Sequence, residues 1–393
     1  MRQVTRIKKL KERFLKKFNT PAQDIFISPG RIELLGNHTD HNNGKVLVSS
    51  ISLNILAAVS PRDDEKVVFY SKGYKKIELN INRLNIKESE FGQSISLIRG
   101  VLFKMKDLGY KIGGFSVCAD SSVPNGAGVS SSAAFEVLIA KIIDYYYNDD
   151  KVDVLDLIKA SQFAESVYFN KPCGLLDQSG IALGGINYID FEDINHPQMH
   201  NIKTNIEDYQ FIIINTGDDH TKLTPCYKKI KDDMKAVSEF FNCQVLREVS
   251  EQDFYNSKDR IIEKCGEEAY LRAKHYFEEN NRVQLAYDAL LKKDYVTLLQ
   301  MMNDSGMSSY YQLKNCYVSS EEENLPKALR KVKEIDPDCY SRVHGGGFAG
   351  TMLMIVKKER LKSILPILEE SFGVENIMKV SLVEYGTSVL KNY

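Results

Sequence analysis

The chain has 393 residues, which at the usual ~150 residues per domain implies about two or three compact units, and 43% of them are apolar, enough for a sizeable core. That excludes a disordered chain. Lys plus Arg total 52 against 53 Asp plus Glu, a net charge of −1, so the basic footprint of a nucleic-acid binder is missing and no nucleic-acid partner is expected.

The first twenty residues carry Val4, Ile7, Leu10, Phe14 and Phe18 at helical spacing among many Lys and Arg. Glu12, the absence of Ser and the lack of an apolar core argue against a targeting segment, and the pattern predicts an amphipathic helix packed on the body. Strands follow over 25–28 and 46–59, with a loop of Gly, Asn, His and Asp between them. The uncharged run 46–61 is too short and, with Ser49, Ser50, Ser52 and Asn54, too polar to span a bilayer; no membrane partner is expected. A hairpin over 67–81, a helix over 95–108 and a strand over 115–119 lead to a Gly-rich turn and a helix over 131–147. A helix over 154–169 and strands over 185–191 and 209–215 complete the first half. Helices over 223–241, 257–280, 282–291, 294–304 and 325–334, a second Gly-rich turn, a strand over 352–356, a helix over 359–372 and a strand over 377–383 make up the rest. The mixture predicts an α+β fold, divided into an N-terminal unit over 1–200 and a C-terminal unit over 201–393. The seven cysteines form no C-x-x-C pair, which predicts reduced thiols and a cytoplasmic setting. The oligomeric state stays open and is compatible with a monomer.

Three motifs carry chemistry. Residues 28–44 read S-P-G-R-I-E-L-L-G-N-H-T-D-H-N-N-G and crowd Arg31, Glu33, Asn37, His38, Asp40 and His41 between two apolar strands. Such a cluster is awkward to bury unless it binds something, and carboxylates and amides read sugar hydroxyls; by composition alone a solvated, turn-forming loop fits equally well. Residues 124–134 read P-N-G-A-G-V-S-S-S-A-A after a strand and before a helix. Glycines let backbone N–H groups approach phosphates at a helix N-terminus, which favours a phosphate loop over a plain Ser-capped turn. It is not a Walker A loop, since the Lys-Ser/Thr pair is missing, and no protein-kinase motif is present. Residues 342–351 read R-V-H-G-G-G-F-A-G-T. They satisfy the G-x-G-x-x-G of dinucleotide sites, but an apolar strand follows the glycines instead of preceding them, so that reading is rejected in favour of a tight loop pressed near a nucleotide or the first Gly loop. A fourth segment, P-C-G-L-L-D-Q at 172–178, places an acid after a glycine. His196 and His200 are read as loop histidines, with Pro197 between them.

Taken in order, these motifs resemble the GHMP family of small-molecule kinases and, within it, the galactokinase group. Residues 30–44 resemble G-R-x-N-x-I-G-E-H-T-D-Y-N-x-G, 124–134 the family's P-x-G-x-G-L-S-S-S-A-A, 173–178 its C-G-I-M-D-Q and 345–350 its G-G-G-F-G-G. Weaker similarity runs through Asn215, His220, Leu223 and Tyr227 and through 299–320, so the resemblance covers nearly the whole chain. It implies a two-lobed fold with nucleotide and sugar meeting at the junction, and ATP-dependent phosphorylation of the anomeric hydroxyl of galactose with Mg²⁺. By resemblance, Asp177 is the catalytic acid and Arg31 its partner. The ATP phosphates fall to Pro124, Gly126, Ala127, Gly128, Val129, Ser130, Ser131 and Ser132, with Gly346 closing from the last loop. Ser132 and Glu165 match magnesium ligands. His38, Asp40, Gly174 and Tyr227 match sugar contacts, joined by Glu33 and Asn37. Three positions depart from the signature: its Asn is Glu33, its Glu is Asn37 and its Tyr is His41; in the last loop His344 and Ala349 stand for Thr and Gly. The signature Glu is expected to bind the sugar's 6-hydroxyl, whereas Asn is neutral and also donates. This leaves galactose first, with N-acetylgalactosamine, galacturonate or arabinose as alternatives. A silent sugar sensor is expected to lose part of the serine loop or the acid, yet Ser130, Ser131, Ser132, Asp177 and Arg31 are all present.

Overall fold

The computed structural model describes residues 3–124, 128–204, 206–217, 223–348 and 350–391. Helix α1 (Gln3–Phe18) buries Ile7, Leu10 and Phe14 against strand residues Ile25, Ile27 and Leu56, and Arg6 ties it down through Asp120 at 2.9 Å. Strands β1 (Asp24–Leu35) and β2 (Lys45–Arg62) then form a long antiparallel pair. Its register shifts between Pro29 and Gly30, and such a bulge re-aims the residues that follow it. Next come β3 (Lys66–Ser71), β4 (Ile77–Asn80), α2 (Ser94–Asp107), β5 (Gly114–Ser121), α3 (Ser131–Tyr147) and α4 (Val154–Phe163). Helix α4 runs on as a π turn (Ala164–Tyr168), a local widening that often marks functional positions. The first half ends with α5 (Leu176–Leu183), β6 (Ile186–Asp190) and β7 (Gln198–Ile202).

The second half runs β8 (Tyr209–Asn215), α6 (Thr224–Phe240), α7 (Glu251–Asn256), α8 (Lys258–Cys265), α9 (Glu267–Leu291), α10 (Tyr295–Ser308), α11 (Asn324–Ile335), β9 (Tyr340–Val343), β10 (Thr351–Lys357), α12 (Lys358–Phe372), β11 (Ile377–Val380) and β12 (Ser388–Leu390). One sheet has the order β12-β1-β2-β5-β3-β4, with β6 and β7 added beside the start of β2; the other has the order β11-β8-β10-β9. In β8 and β10 alternate residues face opposite layers. Phe211, Ile213, Leu353 and Ile355 join the core of the first sheet, while Ile212, Ile214, Met352 and Met354 pack on α11 and α12. Both faces are buried, so these strands read as near-continuous apolar runs.

Four local expectations change. The first strand, expected over 25–28, runs on through Leu35, so Arg31 and Glu33 lie on β1 and not in the loop after it. Helix α9 is unbroken across 280–282, where two helices were expected, because Val283 continues its buried face and Arg282 pairs with Glu279 at 2.7 Å. The break falls instead at Gly266, whose φ of 93° suits glycine. His200 lies on β7, not in a loop, its ring near-parallel to Tyr188 and its Nδ1 2.9 Å from the Tyr287 hydroxyl.

Candidate active site

Gly30 follows the bulge of β1, and a Cβ there would come within 3.0 Å of the Val129 carbonyl, so glycine allows β1 to press on the loop before α3. That contact places Arg31. Its Nε lies 2.8 Å and its Nη2 2.7 Å from Asp177 Oδ1, while Nη1 donates to the Gly128 carbonyl. Asp177 sits in the first turn of α5, where the helix dipole favours a carboxylate, and its Oδ2 accepts from the Ser130 hydroxyl. Burial pushes its pKa upward, but Arg31, Ser130 and Lys171 outweigh burial and hold it below the usual carboxylate value. The acid is therefore ionised at neutral pH, ready to accept a proton.

The loop entering α3 is built for close approach. Gly128 has a φ of 63°, and a Cβ there would lie 2.2 Å from Thr351 Oγ1. Val129 is fully buried beneath it, and Pro124 is half-buried at the loop's start. Ser130 occupies the N-cap position in left-handed geometry without capping the helix, since its hydroxyl goes to Asp177. Ser131 and Ser132 open the helix half-buried, with first-turn N–H groups of the kind that bind phosphates. Gly126 and Ala127, like His220 and Ala349, lie outside the described residues.

Ser132 donates to Glu165 Oε1 at 2.8 Å, and Lys171 Nζ reaches the same oxygen at 2.8 Å. On the far side the Gln178 amide donates to Glu165 Oε2 at 2.9 Å and to Glu136 Oε2 at 3.2 Å. Burial, then the Glu165 charge, raises the Glu136 pKa well above its ordinary value. An adjacent hydroxyl and carboxylate form a hard oxygen pair that fits Mg²⁺, an ion that takes one or two protein ligands and completes its shell with phosphates and water.

The sugar-signature loop closes the other side. Asp40 accepts from the His41 backbone N–H at 2.9 Å, and a Cβ on Gly174 would fall 1.8 Å from Asp40 Oδ2. Any larger residue there would have to displace the Asp40 carboxylate. Burial raises the Asp40 pKa, Lys231 opposes that and Asp177 adds to it, while the Leu176 backbone N–H, next to Asp177 in α5, donates to the Asp40 carboxylate. His38 Nε2 is 3.0 Å from the Gly346 carbonyl, and burial lowers its pKa to about 4, so the ring is neutral. Its plane is within 21° of the Tyr227 ring, and the Tyr227 hydroxyl donates to Gly347 O at 3.1 Å. The last Gly loop therefore rests on His38 and Tyr227.

Glu33 and Asn37, expected at the sugar, are both buried and engaged by protein partners. Arg342 Nη2 donates to Glu33 Oε1 at 2.7 Å. Asn37 Nδ2 donates to Gly345 O at 2.8 Å and to Glu33 Oε2 at 3.3 Å, while its Oδ1 accepts from Asn315 at 2.8 Å and Ser309 at 3.3 Å. The cause is the buried Arg342 guanidinium, which turns Glu33 inward. Arg342 and Lys171 escaped the sequence reading although each stands in a quoted motif or directly before one: the partner of Arg342, Glu33, lies 309 residues away, and that of Lys171, Glu165, stands in no motif.

Antiparallel and mixed sheets flanked by helices, with a glycine–serine loop facing an Arg–Asp pair, define a small-molecule kinase of the GHMP class. A family model described as the GHMP kinases N terminal domain matches residues 96–185, and one described as the galactokinase galactose-binding signature matches 12–61. The galactokinase of Clostridium tetani is 30% identical over 365 residues, covering 90% of this chain and 89% of that protein. That of Lactobacillus helveticus is 30% identical, covering 90% and 92%. The crystal structure of Lactococcus lactis galactokinase complexed with galactose superposes with a TM-score of 0.83 at 25% identity, covering 98% of this chain and 100% of that one. The mevalonate kinase of Methanococcus jannaschii shares the fold, with a TM-score of 0.63 at 17% identity over 91% and 98%. The chain belongs to the galactokinase family.

Proposed function

We propose that the chain transfers the γ-phosphoryl group of ATP to the anomeric hydroxyl of galactose, giving galactose 1-phosphate and ADP. The observation that carries this reading is the position of Asp177. It is held ionised by Arg31, touches the serine loop through Ser130, and follows the segment whose Gly174 packs against Asp40 of the sugar side.

We assign the phosphates to the backbone and hydroxyls from Gly128 to Ser132, with Gly126 and Ala127 included by resemblance. His38, Asp40, Gly174 and Tyr227 are assigned to the sugar. Glu33 and Asn37 support that pocket from beneath by holding Gly345 and the sugar loop together. Ser132 and Glu165 are the residues to hold Mg²⁺, which when bound supplies charge neutralisation on the phosphate oxygens. Asp177 orients the C1 hydroxyl. As its oxygen bonds to the γ-phosphorus and the bond to the β–γ bridging oxygen breaks, the proton passes to Asp177 late in the transfer. Arg31 fixes the carboxylate and adds positive charge near the Gly128 carbonyl. Two lobes, divided near residue 200, are the proposed frame. Among the described residues no helix is long and apolar enough to cross a membrane, and we place the reaction in the cytoplasm.

The direct test is ADP release with Mg-ATP over galactose, N-acetylgalactosamine, galacturonate, arabinose and glucose. Strong turnover on galactose is expected; turnover confined to another sugar keeps the mechanism and reassigns the substrate. Silence on every sugar, in a folded protein that binds ATP, overturns the reading.

A further inference from the structure

We propose that Lys171 contacts the transferring phosphoryl group, as a second fixed positive charge of the reaction beside Arg31. The inference rests on the assignment of the phosphates to the serine loop. Three features place the ammonium. Asn170 turns the chain with a φ of 62°, the Lys171 backbone N–H donates to Glu165 O at 3.0 Å, and Nζ lies 2.8 Å from Glu165 Oε1. The same carboxylate oxygen receives the Ser132 hydroxyl. The ammonium therefore stands at the foot of α3, beside the uncapped first turn. Its field reaches Asp177 on one side and Tyr227 on the other, lowering the pKa of the first and opposing the rise of the second. The proton acceptor and the sugar contact thus both lie within the field of one cation.

The bland alternative is a counter-charge for a buried acid. The Glu165 side chain is 1% exposed and that of Lys171 59%, so the pair is a buried carboxylate meeting a cation that stays in the open mouth of the site. An ammonium has three donors, and one engages Glu165; the rest suit phosphate oxygens arriving from the solvent side. During transfer negative charge shifts toward the β–γ bridging oxygen of the departing ADP, and a positioned ammonium stabilises it without gaining or losing a proton.

Lys171→Met and Lys171→Arg test this, since the exposed side chain leaves the core untouched. Lys171→Met is expected to lower kcat roughly 10- to 100-fold, with KM for galactose within about twofold, and Lys171→Arg to recover most of the loss. Binding of a fluorescent non-hydrolysable ATP analogue in EDTA, which reads contact with the γ-phosphate without metal or turnover, should weaken in Lys171→Met and hold in Lys171→Arg. A Lys171→Met enzyme with parental kcat overturns the proposal. So do equal losses in both variants with lowered thermal midpoints, which mark a packing role. Ser132→Ala and Glu165→Gln separate the two readings: if these lose activity while Lys171→Met does not, Lys171 alone is misassigned. If they too keep parental activity, the phosphate assignment fails with it.

Discussion

At the residue scale, the decisive group is a carboxylate kept ionised inside the protein. Burial alone would raise the Asp177 pKa; two guanidinium contacts and a serine hydroxyl reverse the direction. Asp177→Asn keeps shape and removes both the charge and the proton acceptor, so kcat is expected to fall on the order of 10²- to 10⁴-fold, the range of a positioned general base. ADP binding should survive, because the loop from Gly128 to Ser132 is untouched. Single-turnover phosphate transfer with parallel nucleotide titration checks both halves. A variant with near-parental transfer removes Asp177 from the chemistry, and loss of ADP binding would mean that Arg31, freed from its partner, had displaced the loop.

At the element scale, what could be read in the chain and what could not divide by distance. Strand β8 and helix α3 have the boundaries expected from the pattern because their signals are local: a run of apolar residues in one, an amphipathic face after Ser131 in the other. Strands β7, β9 and β12 were not anticipated. Each is short and borrows its partner from elsewhere, as β12 pairs with β1 across most of the chain. The site divides the same way. Arg31, Asp40 and the serine loop stood out because each motif is contiguous, whereas the inward turn of Glu33 depends on Arg342 at the other end of the sequence. Gly174 shows how an element boundary becomes chemistry, since the segment before α5 passes so close to Asp40 that no Cβ fits. Gly174→Ala must push Asp40 aside. The expected result is a fall of at least about tenfold in kcat/KM for galactose with little change in ADP affinity, because misplacing a contact by about 1 Å costs that much or more. Steady-state kinetics over sugar concentration check it; a KM for galactose at the parental value would show that Asp40 does not touch the sugar.

At the scale of the whole molecule, the two sheets are joined by a buried ion pair. Glu33 belongs to β1 and Arg342 to β9, and the guanidinium also donates to Leu34 O and, at 3.1 Å, to Val343 O. Burial pushes the Glu33 carboxyl up to about 7, with Arg342 and Arg31 holding it from going further. Its ordinary value is 4.5, so the folded state binds this proton more tightly than the unfolded chain. The stability it contributes is complete below about 4.5 and is lost as pH rises through about 7. Arg342→Met removes the main cation opposing that rise and lifts the Glu33 carboxyl further, so the penalty of the substitution should be larger at pH 8 than at pH 5.5, growing by about 1.4 kcal/mol per pH unit above about 7. Glu33→Gln in the same chain removes the charge that causes the growth, and the double variant should lose less than the sum of the two single changes. Urea unfolding of the parent, both single variants and the double variant at the two pH values measures this. A penalty for Arg342→Met that is flat with pH, or strictly additive in the double variant, would mean that packing and the backbone contacts of Arg342, not its charge, join the sheets. A pH-dependent, non-additive penalty instead makes the junction over which the Gly345 loop closes an electrostatic one, with Asn37 as the link that passes its position to the sugar loop.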